Sequence, residues 1–272
     1  MKIFYYTWST CLAIMLICSA QSRAEVDPKT AVGLWLFDEG TGRKAEDVSG
    51  KGNDGEIIGK PKWVEGKFGK ALEFGESSDW VQVKDHESLQ VYKEYSVMAW
   101  INAERHFHPG TKWQGIIAKS NNPRSFSFYT DDQKQFLIAI HFGGAHIVGL
   151  SGSQFPLKAW THVAFVVETG KAGGKISAFT NGKLTKETPR AELKGLPGDE
   201  DTQDVVIGRT HEGSRFFGGV IDEVAFFKAV LTEQDITEIM QHGIEKILGI
   251  APVDPAGKLT TTWAAIRAQT RI

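Results

Sequence analysis

Cysteine is nearly absent from this chain: 272 residues contain two, Cys11 and Cys18. Both lie in a short apolar stretch, residues 11–20, that follows Lys2 and precedes Ser22-Arg23-Ala24. That order of basic residue, apolar core and small residues is the pattern of a secretory leader over residues 1–24, cut after Ala24, with a rival site after Ala20. Polar Ser9 and Thr10 leave the apolar core too short for a membrane span, and Ile17 is too bulky for the residue before a lipoprotein cysteine. The mature chain then has no cysteine. Even in an oxidising, extracytoplasmic compartment no disulfide can form, so stability falls to the buried core. A strong charge balance is also missing. Thirty-one basic residues stand against 33 acidic ones, a formal net charge of −2, and no Lys/Arg run occurs. That excludes the electrostatic footprint of a nucleic-acid binder. Methionine is scarce at 4 residues, and there is no internal repeat.

Glycine is plentiful at 29 residues, and it punctuates short runs that alternate in the two-residue period of strands. Residues 114–118, 125–130, 135–140 and 146–150 read as a meander. Residues 176–179 and 183–186 flank Asn181-Gly182, the pair that suits a type I′ hairpin turn. Residues 189–204 are polar and turn-rich and read as a surface loop. Only residues 232–248 have helical spacing, capped from Thr232 to Asp235, with Ile236, Ile239 and Met240 on one face. Beyond them, Pro252, Pro255 and Gly257 mark residues 249–272 as an extended tail, with Trp263 its main apolar anchor.

Particular segments narrow the architecture. Leu34-Trp35-Leu36-Phe37-Asp38-Glu39-Gly40 precedes the loop from Asp47 to Gly55. Gly66-Lys67-Phe68-Gly69-Lys70-Ala71-Leu72-Glu73-Phe74, Trp80-Val81-Gln82-Val83, the strand from Tyr95 to Ile101 with Trp100, and Trp160-Thr161-His162-Val163-Ala164-Phe165 follow. Gly219-Val220-Ile221-Asp222-Glu223-Val224 comes late. In order and spacing these resemble the laminin-G-like, concanavalin-A-like jelly-roll superfamily. The resemblance implies an all-β, two-sheet antiparallel sandwich over residues 25–248 with one C-terminal helix, its first and last strands side by side, and Trp35, Trp100, Trp160, Phe165 and Phe226 buried. Many relatives add a late cysteine pair, which this chain lacks. Function does not follow from this fold, which hosts lectins, lyases, glycosidases and adhesion modules.

The acids come next. Asp222 sits in an apolar strand, where a carboxylate needs a partner. Related jelly-roll glucanases use an Asp in a similar strand, with carbonyls of an early loop, to hold a structural calcium. By that resemblance calcium would bind where the loop from Asp47 to Gly55 meets Asp222, with Asp47, Asn53 and Asp38 as further oxygen donors. The plainer alternative is that these residues form turns and caps. Glu233, Asp235 and Glu238 match the Glu-x-Asp-x-x-Glu pattern of laminarinases. They fall in the helix, however, where successive side chains rotate by about 100° and cannot share one face. A lyase would need a Tyr/His pair beside a cation; His141, Tyr129 and Arg124 are not linked by any motif. His106 and His108 offer only two ligands, too few for a zinc site, and His162 reads as a core histidine.

Sugars stack their C–H faces on exposed aromatic rings. Trp113, Phe107 and Tyr129 fall in or near loops and form the candidate platform, while Trp80 is equally compatible with the core rim. The expectation is a non-catalytic, secreted module that binds an extracellular glycan or protein. A carbohydrate-active lyase or hydrolase and a protein-adhesion scaffold are the alternatives.

Overall fold

The computed structural model describes residues 26–75, 78–90, 93–120, 124–142, 144–194, 202–213 and 215–249. The expected leader and the expected tail with Trp263 lie outside the described residues. Sixteen strands run β1 (Ala31–Trp35), β2 (Lys44–Ala45), β3 (Gly55–Ile58), β4 (Lys62–Glu65), β5 (Lys70–Phe74), β6 (Trp80–Val83), β7 (Tyr95–Ala103), β8 (Trp113–Ser120), β9 (Arg124–Asp131), β10 (Phe136–Phe142), β11 (Ala145–Leu150), β12 (Thr161–Glu168), β13 (Gly174–Thr180), β14 (Lys183–Arg190), β15 (Val205–Ile207) and β16 (Gly219–Phe227). Among the described residues two α-helices follow β16, α1 (Glu233–His242) and α2 (Ile244–Leu248).

The strands form two eight-stranded antiparallel sheets. The first is ordered β14-β13-β12-β7-β16-β5-β4, with β1 also pairing with β16; the second is β11-β10-β9-β8-β15-β6-β3-β2. The first and last strands do lie side by side, Leu34 opposite Ala225 and Trp35 opposite Val224. The period-2 pattern explains the layering. Along β7, Tyr95, Val97, Ala99, Ile101 and Ala103 enter the inter-sheet core, while Met98 points to a second cluster under α1 and α2. Phe128 and Phe165 meet edge to face across the sheets at 5.1 Å, as do Phe126 and Phe226. A ring buried in this way contributes about 1.5–3 kcal/mol, and this core takes the place of a disulfide.

The Asn181-Gly182 turn has both residues in the left-handed region (φ 50° and 77°), as a type I′ hairpin requires. Three expectations need correction. The single helix over 232–248 is two, because Gly243 (φ 80°) ends α1 and opens α2. The polar loop begins later than residue 189, since Pro189 and Arg190 close the edge strand β14. Proline on an edge strand gives up no ladder bond. Trp160 is half-buried rather than buried, while Trp35, Trp100, Phe165 and Phe226 are buried. Trp100 packs on the outer face of the first sheet, against Trp160 and His162.

Candidate functional site

Alternation sends Phe126 and Phe128 of β9 into the core and Tyr129 to the outer face of the second sheet. There Tyr129 lies opposite Leu137 and packs with Leu137, Ala139, Val148 and Trp113. Trp113 opens β8 and meets Tyr129 edge to face, ring centroids 6.4 Å apart. The connection between β15 and β16 crosses this face. Its backbone is tied to β8: Gly208 N–H donates to the Ile116 carbonyl (2.8 Å), and Gly115 N–H donates to the Arg215 carbonyl (2.7 Å). Gly115 makes the crossing possible. A Cβ there would stand 2.2 Å from the carbonyl carbon of Arg209.

The crossing brings two arginines onto aromatic rings. The Arg215 guanidinium sits 4.4 Å from the Trp113 ring centroid and 5.6 Å from that of Tyr129. Glu212 lies 3.6 Å from Arg215 and accepts a hydrogen bond from the Ser120 hydroxyl at 3.3 Å. Arg209 sits 4.9 Å from Trp80 and 5.0 Å from Phe216. Gly110, Thr111, Trp113, Glu212, Gly213 and Arg215 line an open depression of about 290 Å³. A half-exposed indole, a cation, a carboxylate and a hydroxyl therefore converge on one concave spot, the mix of apolar face and few polar groups that small-ligand sites use.

Of the three aromatics expected to form a platform, Trp113 and Tyr129 come together. Tyr129 is 6% exposed and supports the indole from beneath. Phe107 is 41% exposed and is not among the residues lining the depression. The arginines escaped sequence reading, because Trp80, Trp113 and Tyr129 lie on strands about a hundred residues away in the chain. The only hint was two arginines bracketing a turn-rich segment before β16.

The acids serve the fold. Asp222 Oδ2 accepts from the N–H groups of Lys67 (2.7 Å) and Phe68 (3.1 Å), and Oδ1 accepts from Glu223 N–H (2.8 Å). Glu223, at φ 49° in the bulge of β16, accepts from Ile244 N–H at 2.7 Å and so fastens α2. Asp38 accepts from Lys70 N–H (2.6 Å). Burial pushes Asp222 up to about 8, helped by Glu223 and Asp38 and opposed by the Phe68 and Lys67 bonds; burial likewise pushes Glu223 up to about 7. Burial also raises Asp38. Asp47 takes four donors, the N–H groups of Leu34, Ser49 and Asn53 and the Ser49 hydroxyl. The Asn53 amide donates to the Val32 carbonyl and Ser88. The partner that sequence reading gave Asp222, the loop from Asp47 to Gly55, is corrected to the turn at residues 66–68. Calcium needs six to eight oxygen lone pairs. Here those of Asp222 and Asp47 are turned to N–H dipoles whose positive ends would face the cation, so the residues as placed do not fit the ion. Among the described residues no group of three or more His, Cys, Asp or Glu is arranged to hold a metal.

Residues 74–237, more than half of the chain, match the family model Laminin_G_3, described as the concanavalin A-like lectin/glucanases superfamily. The chain belongs to this superfamily. Solved structures agree on the fold. The binding domain of Paraclostridial Mosquitocidal Protein 1 superposes with a TM-score of 0.64 at 14% identity, covering 78% of this chain and 52% of that one. Domain 4 of AbnA, a GH43 extracellular arabinanase from Geobacillus stearothermophilus, in complex with arabinotriose, gives 0.61 at 19% identity, covering 78% and 98%. The receptor binding domain of botulinum neurotoxin C/D mosaic serotype gives 0.61 at 13%, covering 79% and 51%. The chain thus spans about half the length of the two toxin domains. No curated protein matches it.

Hydrolases of the superfamily carry their acids on a strand. Here Glu233, Asp235 and Glu238 lie in α1, as expected. Asp235 completes a capping box with Thr232, and Glu238 lies 3.6 Å from His242. Tyr129 and His141 share the outer face of the second sheet. Leu137, opposite Tyr129, is four residues from His141, a separation of about 13 Å along a strand. That is too far for a shared proton transfer. His162 is 1% exposed, and burial holds it neutral with a pKa lowered to about 3. His106 and His108 pack on Phe155 and Phe216.

Proposed function

We propose that this chain is an exported, non-catalytic module, one jelly roll over residues 25–248, that binds an extracellular glycan at the Trp113 depression. The observation that carries the reading is Trp113 itself: a half-exposed indole on a rigid strand, beside the Arg215–Glu212 pair and the Thr111 hydroxyl. An indole offers a sugar its apolar face, and charged and hydroxyl groups take the sugar's hydroxyls. The helical placement of the only laminarinase-like acid pattern supports a binding role over hydrolysis. So does one similar structure, domain 4 of an extracellular arabinanase, in its complex with arabinotriose. A glycan array with the protein starting at residue 25 tests the reading. Binding to a defined set of glycans that Trp113→Ala lowers at least tenfold, about 1.4 kcal/mol, supports it. An array with no binder, or binders that ignore Trp113→Ala, sinks it.

A further inference from the structure

The two arginine stacks differ in one respect. Arg215 has an acid beside it, Glu212 at 3.6 Å. Fully buried Lys119 has one too, Asp85 at 2.6 Å. Arg209 has none. Its Nε donates to the Thr210 carbonyl (2.9 Å), and no ion pair reaches it among the described residues. The side chain is half-buried against Trp80 and Phe216. Burial alone moves its proton affinity, downward, with no carboxylate offsetting it. A guanidinium stays charged all the same. Removing half its hydration without a counter-ion is costly, and among the described residues no protein acceptor meets either terminal NH₂ group.

Contact with two rings restricts the guanidinium, so less freedom remains to be lost when the fork closes on an oxyanion. Planar, paired N–H donors match carboxylate and sulfate oxygens. Arg209 also stands next to the proposed glycan site. Its carbonyl carbon flanks Gly115, whose N–H holds the Arg215 carbonyl. The strands that carry Trp80 and Trp113 are separated only by β15, and the register sets Trp113 about three residues further along its strand, an offset of about 14 Å in all. One oligosaccharide can reach both.

We infer that Arg209 receives an anionic substituent, a carboxylate or a sulfate, of the bound glycan, so that the ligand class is an acidic polysaccharide. This rests on the glycan reading of the Trp113 face. Dextran, dextran sulfate and polygalacturonate are the probes, titrated into the full chain and into Arg209→Gln, Arg209→Lys and Trp113→Ala. The expected result is binding to dextran sulfate or polygalacturonate at least tenfold tighter than to dextran and weakened by added salt. Whichever polyanion wins identifies sulfate or carboxylate as the group. Arg209→Gln removes the tenfold preference. Arg209→Lys keeps the charge but not the fork and falls between. Melting curves of both Arg209 variants stay near that of the parent, separating lost binding from lost fold. A polyanion held equally well by Arg209→Gln, or dextran held as tightly as the polyanions, overturns the inference. If neutral glycans still bind in a Trp113-dependent way, the glycan reading survives without it. If nothing binds any probe or the array, both fall.

Discussion

The two sheets each turn a tryptophan outward and place a cation on it, with opposite consequences. On the first sheet Trp100 carries the Lys67 ammonium 4.5 Å from its ring centroid, yet Trp100 is 6% exposed and hemmed in by Trp160 and His162. Lys67 belongs to the turn that Asp222 holds, and α1 and α2 cover much of the rest of that face. On the second sheet Trp113 carries Arg215 at 4.4 Å but opens on a depression. Nearby Arg209 has no counter-ion among the described residues. The ring–cation pair is the same chemistry twice. The difference lies in whether surrounding donors and acceptors are consumed by the fold, as around Asp222, or left over, as around Arg209.

The sharpest break of this comparison is at Asp222. Its carboxylate is fully buried and accepts three backbone N–H bonds. Asp222→Ala leaves those donors without a partner at about 1–3 kcal/mol each. We expect a loss of about 4 kcal/mol overall, a fall in melting temperature of roughly 10 °C, and an unchanged melting curve for the parent protein in chelator. A parent melting temperature that drops on chelation would restore a cation to this place.

Proton linkage on the same buried acids comes next in size. The ordinary values are 3.8 for Asp222 and 4.5 for Glu223, and the fold raises them to about 8 and about 7. The folded state therefore holds protons that the unfolded chain has released. This stabilisation is fully present below about pH 4, declines as pH rises, and is gone above about pH 8. Melting temperature should fall steadily from pH 5 to pH 8.5, and Glu223→Gln should flatten that slope. A protein equally stable at both ends has its carboxylates ionised throughout, held by the N–H bonds alone.

Much of this division was legible in the sequence, but unevenly. Alternation along β7, β9 and β12, the Asn181-Gly182 turn and the Gly66-to-Phe74 segment give the sandwich and its closure, because each is a local pattern with one structural solution. The need of Asp222 for a partner was legible too. Its partner was not, since the turn comes close enough to the strand only because residue 66 is glycine: a Cβ there would approach Asp222 Oδ2 to 2.6 Å. The break at Gly243 hides within a helical pattern that continues across it. The arginine stacks are the least legible: Arg209 and Arg215 gain meaning only when β15 places their loop over β6 and β8.

The smallest expected effect separates the two cation–ring pairs most cleanly. An exposed ammonium over an indole is worth about 0.5–1 kcal/mol, and Lys67 is exposed. Arg215 is 19% exposed and shares Glu212, so its removal costs about the same order once the freed acid is rehydrated. Lys67→Gln and Arg215→Gln should both shift the melting temperature by no more than about 3 °C. Glycan affinity should separate them. With Lys67→Gln the array profile of the parent is kept, because Trp100 offers a ligand no open face. Arg215→Gln removes the cation held 4.4 Å from the Trp113 ring centroid and releases Glu212, and the same glycans should bind at least fivefold more weakly. If Lys67→Gln lowers glycan binding and Arg215→Gln does not, the recognition face is the first sheet, and the assignment of roles to the two sheets is reversed.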